Sequence, residues 1–493
     1  MSCAALIQGC TLGPDFRRPE LSTAASYTGV RPVTPPSQRI RVGRDIPAEW
    51  WTLFRSHELK GLIERAFINN PDLASAQASL AQVRENLASQ QSGTLPSFQA
   101  SAMSRYQSIA SGMFGNPNGP DYRFAIYDIS ASVSYTVDLF GKVRRQIEDQ
   151  TAQEEYQRFQ LEAAYLTLAG NIVANAVQEA SLRGQLASLE ELAELQRQGL
   201  DILRQQAQLG AVAESAVLSQ ASAFNESQAN LIALRQQLAQ SRHQLAVLTG
   251  RFPGEPLPEE FTLDDLQAPT ELPLSVPLKL VEQRPDVRSA EAAAHSASAQ
   301  VGVATAKMFP DISLKADLGS FATQASQLLM PGSGIWGVGL NLAQPLFEWG
   351  KNTHAQQAAI AGFQQAAAKY RSSVLQAFQD VANTLKNLEA DHQTLEVQAS
   401  SVQIAQENLT LAQAQSETGG LSYLALLDSQ RNYKQAQLGW IKARATLLGD
   451  SAALFQALGG GWWNRTPPHH SPHRQNGELT MPDSVHSRGG ARP

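Results

Sequence analysis

The stretch TGGLSYLALLDSQRNY at 418–433 holds the clearest chemical pattern in the chain. Asp428 and Arg431 lie three residues apart, with Leu424 one turn before the aspartate. On a helix the three share a face, where carboxylate and guanidinium can pair. The competing reading is a solvated surface pair contributing under about 1 kcal/mol. A second candidate is Cys10, preceded by Ile7-Gln8-Gly9. An apolar and a small residue ahead of cysteine form the pattern at which a signal peptidase frees the cysteine for acylation, and a buried or incidental thiol weighs equally. His469, His470 and His473 near the C-terminus could take up a transition metal, although nothing around them builds a supporting shell and a solvated tail is the stronger reading.

Composition narrows the field. The 493 residues carry a net charge of −6 with 17% charged residues and no long basic run, which disfavours a nucleic-acid partner. Cys3 and Cys10 are the only cysteines, so the body has no disulfide framework, thiolate nucleophile or cysteine metal site. No run approaches the ~18 apolar residues of a spanning helix, so any membrane crossing must use strands. Residues 1–9 are expected to be the remnant of a longer signal peptide, since they lack a basic start and a full apolar segment.

The elements that must position these residues are duplicated. Pro71-Asp72 and Pro285-Asp286 each open an Ala/Ser/Gln-rich helical segment, reaching Pro96 in one copy and Pro310 in the other. YDISASVSYTVDLFGK (127–142) parallels WGVGLNLAQPLFEWGK (336–351). From Lys142 and Lys351, proline-free stretches run to turns at Gly210 and Gly419. Each reads as a helix of roughly 100 Å. Coiled-coil spacing of Leu385, Leu388, Leu395, Val402 and Leu409, and of Leu231, Leu234, Leu238, Leu245 and Leu248, predicts packed antiparallel rods. Period-two alternation predicts strands at 311–319 and 335–347, and a barrel or a sandwich would give the same pattern. Four strands cannot close a barrel around a lumen, so membrane insertion would demand oligomerisation.

The expected organisation is a remnant at 1–9, an anchor and equatorial segment at 10–60 and a first repeat at 61–252. A Pro-rich connector at 253–277, a second repeat at 278–458 and a C-terminal segment at 459–493, disordered from 464, complete it.

Several short motifs then occur in a familiar order: Cys10-Thr11-Leu12-Gly13-Pro14, Trp50-Trp51 with Phe54, Asn70-Pro71-Asp72-Leu73, Asp138-Leu139-Phe140-Gly141, Gln283-Arg284-Pro285-Asp286 and Ala457–Trp462. Over about residues 10–463 the chain resembles the TolC-like outer-membrane efflux lipoproteins of the OprM/NodT group. The resemblance implies a mainly α fold with β: a coiled-coil helical barrel on a transmembrane β-barrel with four strands per subunit, formed as a homotrimer. It implies an outer-membrane exit duct, reaching into the periplasm, that passively conducts drugs or other small amphiphilic compounds. Its partners would be a periplasmic adaptor, an inner-membrane RND-type transporter and outer-membrane lipid. A covalent lipid on Cys10 would be the only attached group, with no cofactor and no metal. It also implies that Gly210, Ala213, Glu214 and Ser215, with Gly419, Ser422 and Tyr423, form hairpin tips that meet the adaptor. Leu424, Asp428 and Arg431 would form a periplasmic gate, since copy one has Ser219 where copy two has Asp428.

An enzyme is the rival class. Asp15, Asp128 and Asp138 read better as turn or lumen residues than as an acid–base pair. No Ser/His/Asp or His-x-x-x-His arrangement is placed on a compact scaffold, and no P-loop glycine pattern is present. A soluble coiled-coil scaffold is a third reading. An outlet for type I protein secretion or for metal efflux is a fourth, within the family.

Overall fold

The computed structural model describes residues 11–20, 27, 38–116 and 118–465, with only the backbone of Phe114 and Leu278. Cys10 and the histidines at 469, 470 and 473 lie outside the described residues.

Proline and cap chemistry start the helices. α1 (His57–Asn69) begins after Ser56, whose hydroxyl accepts from the Leu59 N–H. α2 (Pro71–Ser92) follows at once: Asn70 caps it by accepting from Leu73 N–H, and Pro71 fills a first-turn position where no N–H is needed. The chain then runs through β2 (Ser97–Ile109) and β3 (Tyr122–Val137), preceded near the N-terminus by the short β1 (Arg39–Val42). α3 (Lys142–Gln208) and α4 (Glu214–Leu248) form the first hairpin, with 67 and 35 residues. After β4 (Glu271–Leu274) and α5 (Pro277–Gln283) the order repeats. α6 (Pro285–Ala306), β5 (Asp311–Ala322), β6 (Gly334–Ala343), α7 (Lys351–Glu417) and α8 (Tyr423–Ala457) follow; α6 matches the 22 residues of α2, and α7 and α8 again have 67 and 35, whereas β6 has 10 residues against 16 in β3.

At one end lies an antiparallel sheet in the order β2-β3-β5-β6. Phe98, Val133, Ala316 and Val338 form one row across all four strands, and Gln99, Ser132, Asp317 and Gly337 form the next row on the opposite face. One face is therefore apolar and the other polar, as the two-residue period requires. The strand expected to reach 347 stops at Ala343, because Pro345 cannot donate to a ladder.

The main core sits in the middle of the molecule, not in the sheet. Trp50 stacks on Phe455 at 5.3 Å and meets Phe54 edge-on, beside Ile172, Tyr370 and Leu448. The segment between the copies supplies Leu257, Phe261, Leu263, Leu266, Leu272 and Leu274 to this core, and β4 pairs in parallel with β1. Asn464 and Arg465, expected to open a disordered tail, are instead held in the fold. Asn464 donates to Asp45 and to the Ile46 carbonyl, and Arg465 reaches Glu162 at 3.1 Å.

Candidate functional site

At the far end from the sheet, each hairpin reverses over five residues. Gly210 (φ +73°) and Gly419 (φ +75°) adopt the left-handed conformation that closes a helix C-terminus. The bonds Ala211 N–H to Gln206 and Gly420 N–H to Gln415, both 2.8 Å, satisfy carbonyls that the helix end would orphan. Ala213 precedes α4, whose first residues are Glu214 and Ser215. Ser422 caps α8 by accepting from Ala425 N–H, ahead of Tyr423. These seven residues occupy the two tips.

Asp428 and Arg431 pair within α8 at 3.3 Å, and their side chains remain 64% and 44% exposed. As an isolated pair it is worth under about 1 kcal/mol. Leu424 sits differently. It packs beside the first hairpin's cluster of Leu200, Leu203 and Val217, while Leu427 next to it is buried and faces Gly199. Lys434 adds an ion pair to Glu191. This seam between hairpins escaped the sequence reading, because its partners lie more than 200 positions apart. The heptad leucines of α8 and α3 were its one available signal.

Two further clusters were also missed. Asp391 of α7 faces Asp450 of α8. Burial, reinforced by the neighbouring Asp450 charge and a hydrogen bond to it, pushes the Asp391 carboxyl up to about 7. Near the sheet, Arg145 lies almost wholly buried on Gly302 and donates to the carbonyls of Leu12 and Gly13 and to Asp15. Phe16 stacks on His295 at 4.6 Å, and Arg18 binds Glu291 through two bonds. Residues 11–18 are thus strapped to α3 and α6, with Thr11 against Gly141 where the sheet meets the first rod. Asp138, read from sequence as a turn or lumen residue, accepts from the N–H groups of Val143 and Arg144 at the start of α3.

Among the described residues, no helix is long and apolar enough to cross a membrane, and no group of three or more His, Cys, Asp or Glu could hold a metal ion. One sheet face is exposed and apolar: Phe98, Trp336, Val338 and Leu340 are each at least two-thirds accessible. Such a face, about ten residues tall with a polar reverse, is that of a membrane-spanning strand array.

A sheet of this kind carrying two rod-like hairpins defines the class: a channel subunit with a membrane end and a helical conduit end. The chain belongs to the outer membrane efflux protein family, whose model matches residues 62–251 and 276–460. It is 28% identical over 474 residues to the cation efflux system protein CusC of Escherichia coli, covering 93% of this chain and 98% of that one. It is 29% identical over 470 residues to the probable efflux pump outer membrane protein TtgC of Pseudomonas putida, covering 94% and 95%. Among solved structures, the outer-membrane channel OprN superposes with a TM-score of 0.81 at 27% identity, over 92% of this chain and all of that one.

Proposed function

We propose that three copies of this chain form the outer-membrane exit duct of a tripartite efflux pump. Each copy gives four strands to one twelve-stranded barrel and two hairpins to one helical conduit. The duct receives small amphiphilic compounds, drugs among them, from a periplasmic adaptor and an inner-membrane RND-type transporter, and it conducts them passively. The observation that carries this reading is the four-stranded open sheet, apolar on one face and polar on the other, with β2 and β6 at its edges. A bilayer does not tolerate an open edge, so other copies must close it.

The tips at Gly210–Ser215 and Gly419–Tyr423 are the adaptor contacts, a full rod from the sheet. Leu424, Asp428 and Arg431 form the gate: in a trimer each becomes a ring of three around the axis. The leucine ring resists wetting, the aspartate ring repels anions, and Arg431 relieves the repulsion among the aspartates. Opening requires the second hairpin to leave the Leu200–Leu203–Val217 seam, and the adaptor favours that state by binding it more tightly. Cys10 carries the lipid anchor. In support, Thr11 is held at the junction of sheet and rods, the level of the membrane surface in this reading.

Likeness to a protein named for cation efflux favours a second cargo, metal cations, through the same duct. The test is expression with its own adaptor and pump in cells lacking other outlets. Lowered accumulation of an amphiphilic dye, abolished by removing the adaptor, is expected. Unchanged accumulation with an assembled pump, alongside restored export of metal cations, would move the cargo to cations.

A further inference from the structure

The polar face of the sheet changes character along its height. Beside the rods it carries small or polar residues. Ser97, Ser134, Lys315 and Gly339 form one row there, and Gln99, Ser132, Asp317 and Gly337 form the next. Towards the far end the same face gains large apolar side chains. Ile335 lies opposite Gly319, Phe321 opposite Asp128, Ile126 opposite Arg105 and Phe124 opposite Gln107. A one-residue slip or a bulge would exchange the faces, but β2 and β3 keep one register from Ser97–Ser134 to Ile109–Tyr122. The change therefore lies in the sequence.

The outward face changes in the opposite sense. Its apolar run closes at Tyr106 and Tyr127, aromatic residues of the kind that line a membrane–water boundary. Beyond them Ser108 lies opposite Arg123. At this level the barrel is wet outside and apolar inside, whereas barrel interiors are ordinarily polar. Lipid contact cannot account for Phe124 or Phe321, because both point away from the lipid face. Met103, Tyr122, Phe321 and Ile335 are 45–53% accessible. Large apolar groups held towards water in this way form a contact surface. Asp128, to which Ser130 donates at 2.9 Å, and Arg105 share the face, so the band is amphiphilic.

We infer that this band is an exit subsite for amphiphiles. Phe124, Ile126, Phe321 and Ile335 take the apolar body of the passing compound, and Asp128 or Arg105 meets its charged group. The inference rests on the trimeric reading above and adds to it the place where cargo touches the barrel. Twelve strands at ~45° tilt and ~4.8 Å spacing form a ring of roughly 13 Å radius. Inward phenyl groups narrow it to roughly 11–14 Å across. That width brings a compound of several rings against the wall and leaves a hydrated inorganic ion free to pass.

Block of ion current tests this, with the full chain reconstituted in planar bilayers. Tetraphenylphosphonium and tetramethylammonium, both monovalent cations, are added on the β-barrel side. Tetraphenylphosphonium should block at least about tenfold more potently, because only it offers apolar rings to the band. Phe124→Ser with Phe321→Ser should remove most of that difference, and Phe124→Leu with Phe321→Leu should retain it. Ile335→Ser, a single change on another strand, should weaken the block by about threefold and serves if the serine pair does not assemble. Equal block by the two cations, or tetraphenylphosphonium block that survives the serine changes, would overturn the exit subsite and leave the duct standing. Parent protein that stays monomeric and forms no channel would overturn both.

Discussion

Arg145 should decide whether residues 12–15 stay fixed beside the barrel. Its guanidinium donates to the Leu12 carbonyl at 3.1 Å and to the Gly13 carbonyl at 3.3 Å. Its stem fills the space over Gly302, where a Cβ would come within 2.8 Å of it. Arg145→Met keeps most of that apolar stem and removes the donors. Two charge-assisted bonds are worth about 1.5–3 kcal/mol each. Asp15 is 91% exposed, so its ion pair adds under about 1 kcal/mol. Water re-bonding of the freed carbonyls returns part of the loss, leaving about 2 kcal/mol or more of local stability, or at least ~30-fold faster exchange. Hydrogen–deuterium exchange with peptide-level mass spectrometry reads it directly. Acceleration should appear at Leu12, whose N–H donates to the Phe140 carbonyl at 3.2 Å, and stop before Phe16, because Phe16 keeps His295 and Arg18 keeps Glu291. Unchanged protection at Leu12, or equal loosening through α3, would refute the argument that Arg145 holds this part of the strap.

Three further outcomes follow from the geometry. Asp391, whose carboxyl is pushed up to about 7 by burial and by Asp450, holds a proton between pH 4 and 7 that the unfolded chain has released. Its stabilising contribution is therefore complete below about pH 4 and lost as pH rises through 7. Asp391→Asn should flatten that slope and raise stability at pH 8 by about 1–2 kcal/mol after solvent screening, read as thermal unfolding from pH 4 to 8; a parallel pH slope in the variant would refute it. Phe455→Ala removes the ring stacked on Trp50 and should cost about 3–5 kcal/mol, seen as a lower denaturation midpoint of the helical signal. Asp428→Ala and Leu424→Ala should each raise single-channel conductance in planar bilayers without changing assembly, and parent-like conductance in both would reduce Asp428–Arg431 to a surface pair.

The duplication was legible because its markers are local. Proline can open a helix but cannot continue a strand ladder, and Gly-Lys at the foot of each rod recurs at matched spacing. Alternation made β5 and β6 legible, although β5 runs on to Ala322 and β6 stops at Ala343, where Pro345 outweighs the pattern; the short β1 and β4 were not read from it. Local pattern did not reveal which leucines of 253–277 are core, since Leu257, Phe261 and Leu266 follow no helical or strand period and are buried by distant helices. Nor did it place Leu424. Its helix face was clear from spacing, but its packing on Leu200 and Leu203 depends on how two hairpins lie together. Asp391 and Asp450 belong to different helices, so their repulsion exists only once α7 and α8 are paired.

The most direct test of the duct is an electron cryo-microscopy map of the full chain in lipid nanodiscs. A three-fold particle is expected, with twelve continuous strands in the bilayer and the helical hairpins projecting from one side as a hollow conduit. A particle whose four-stranded sheets remain separate, or whose strands lie outside the lipid, would contradict the account.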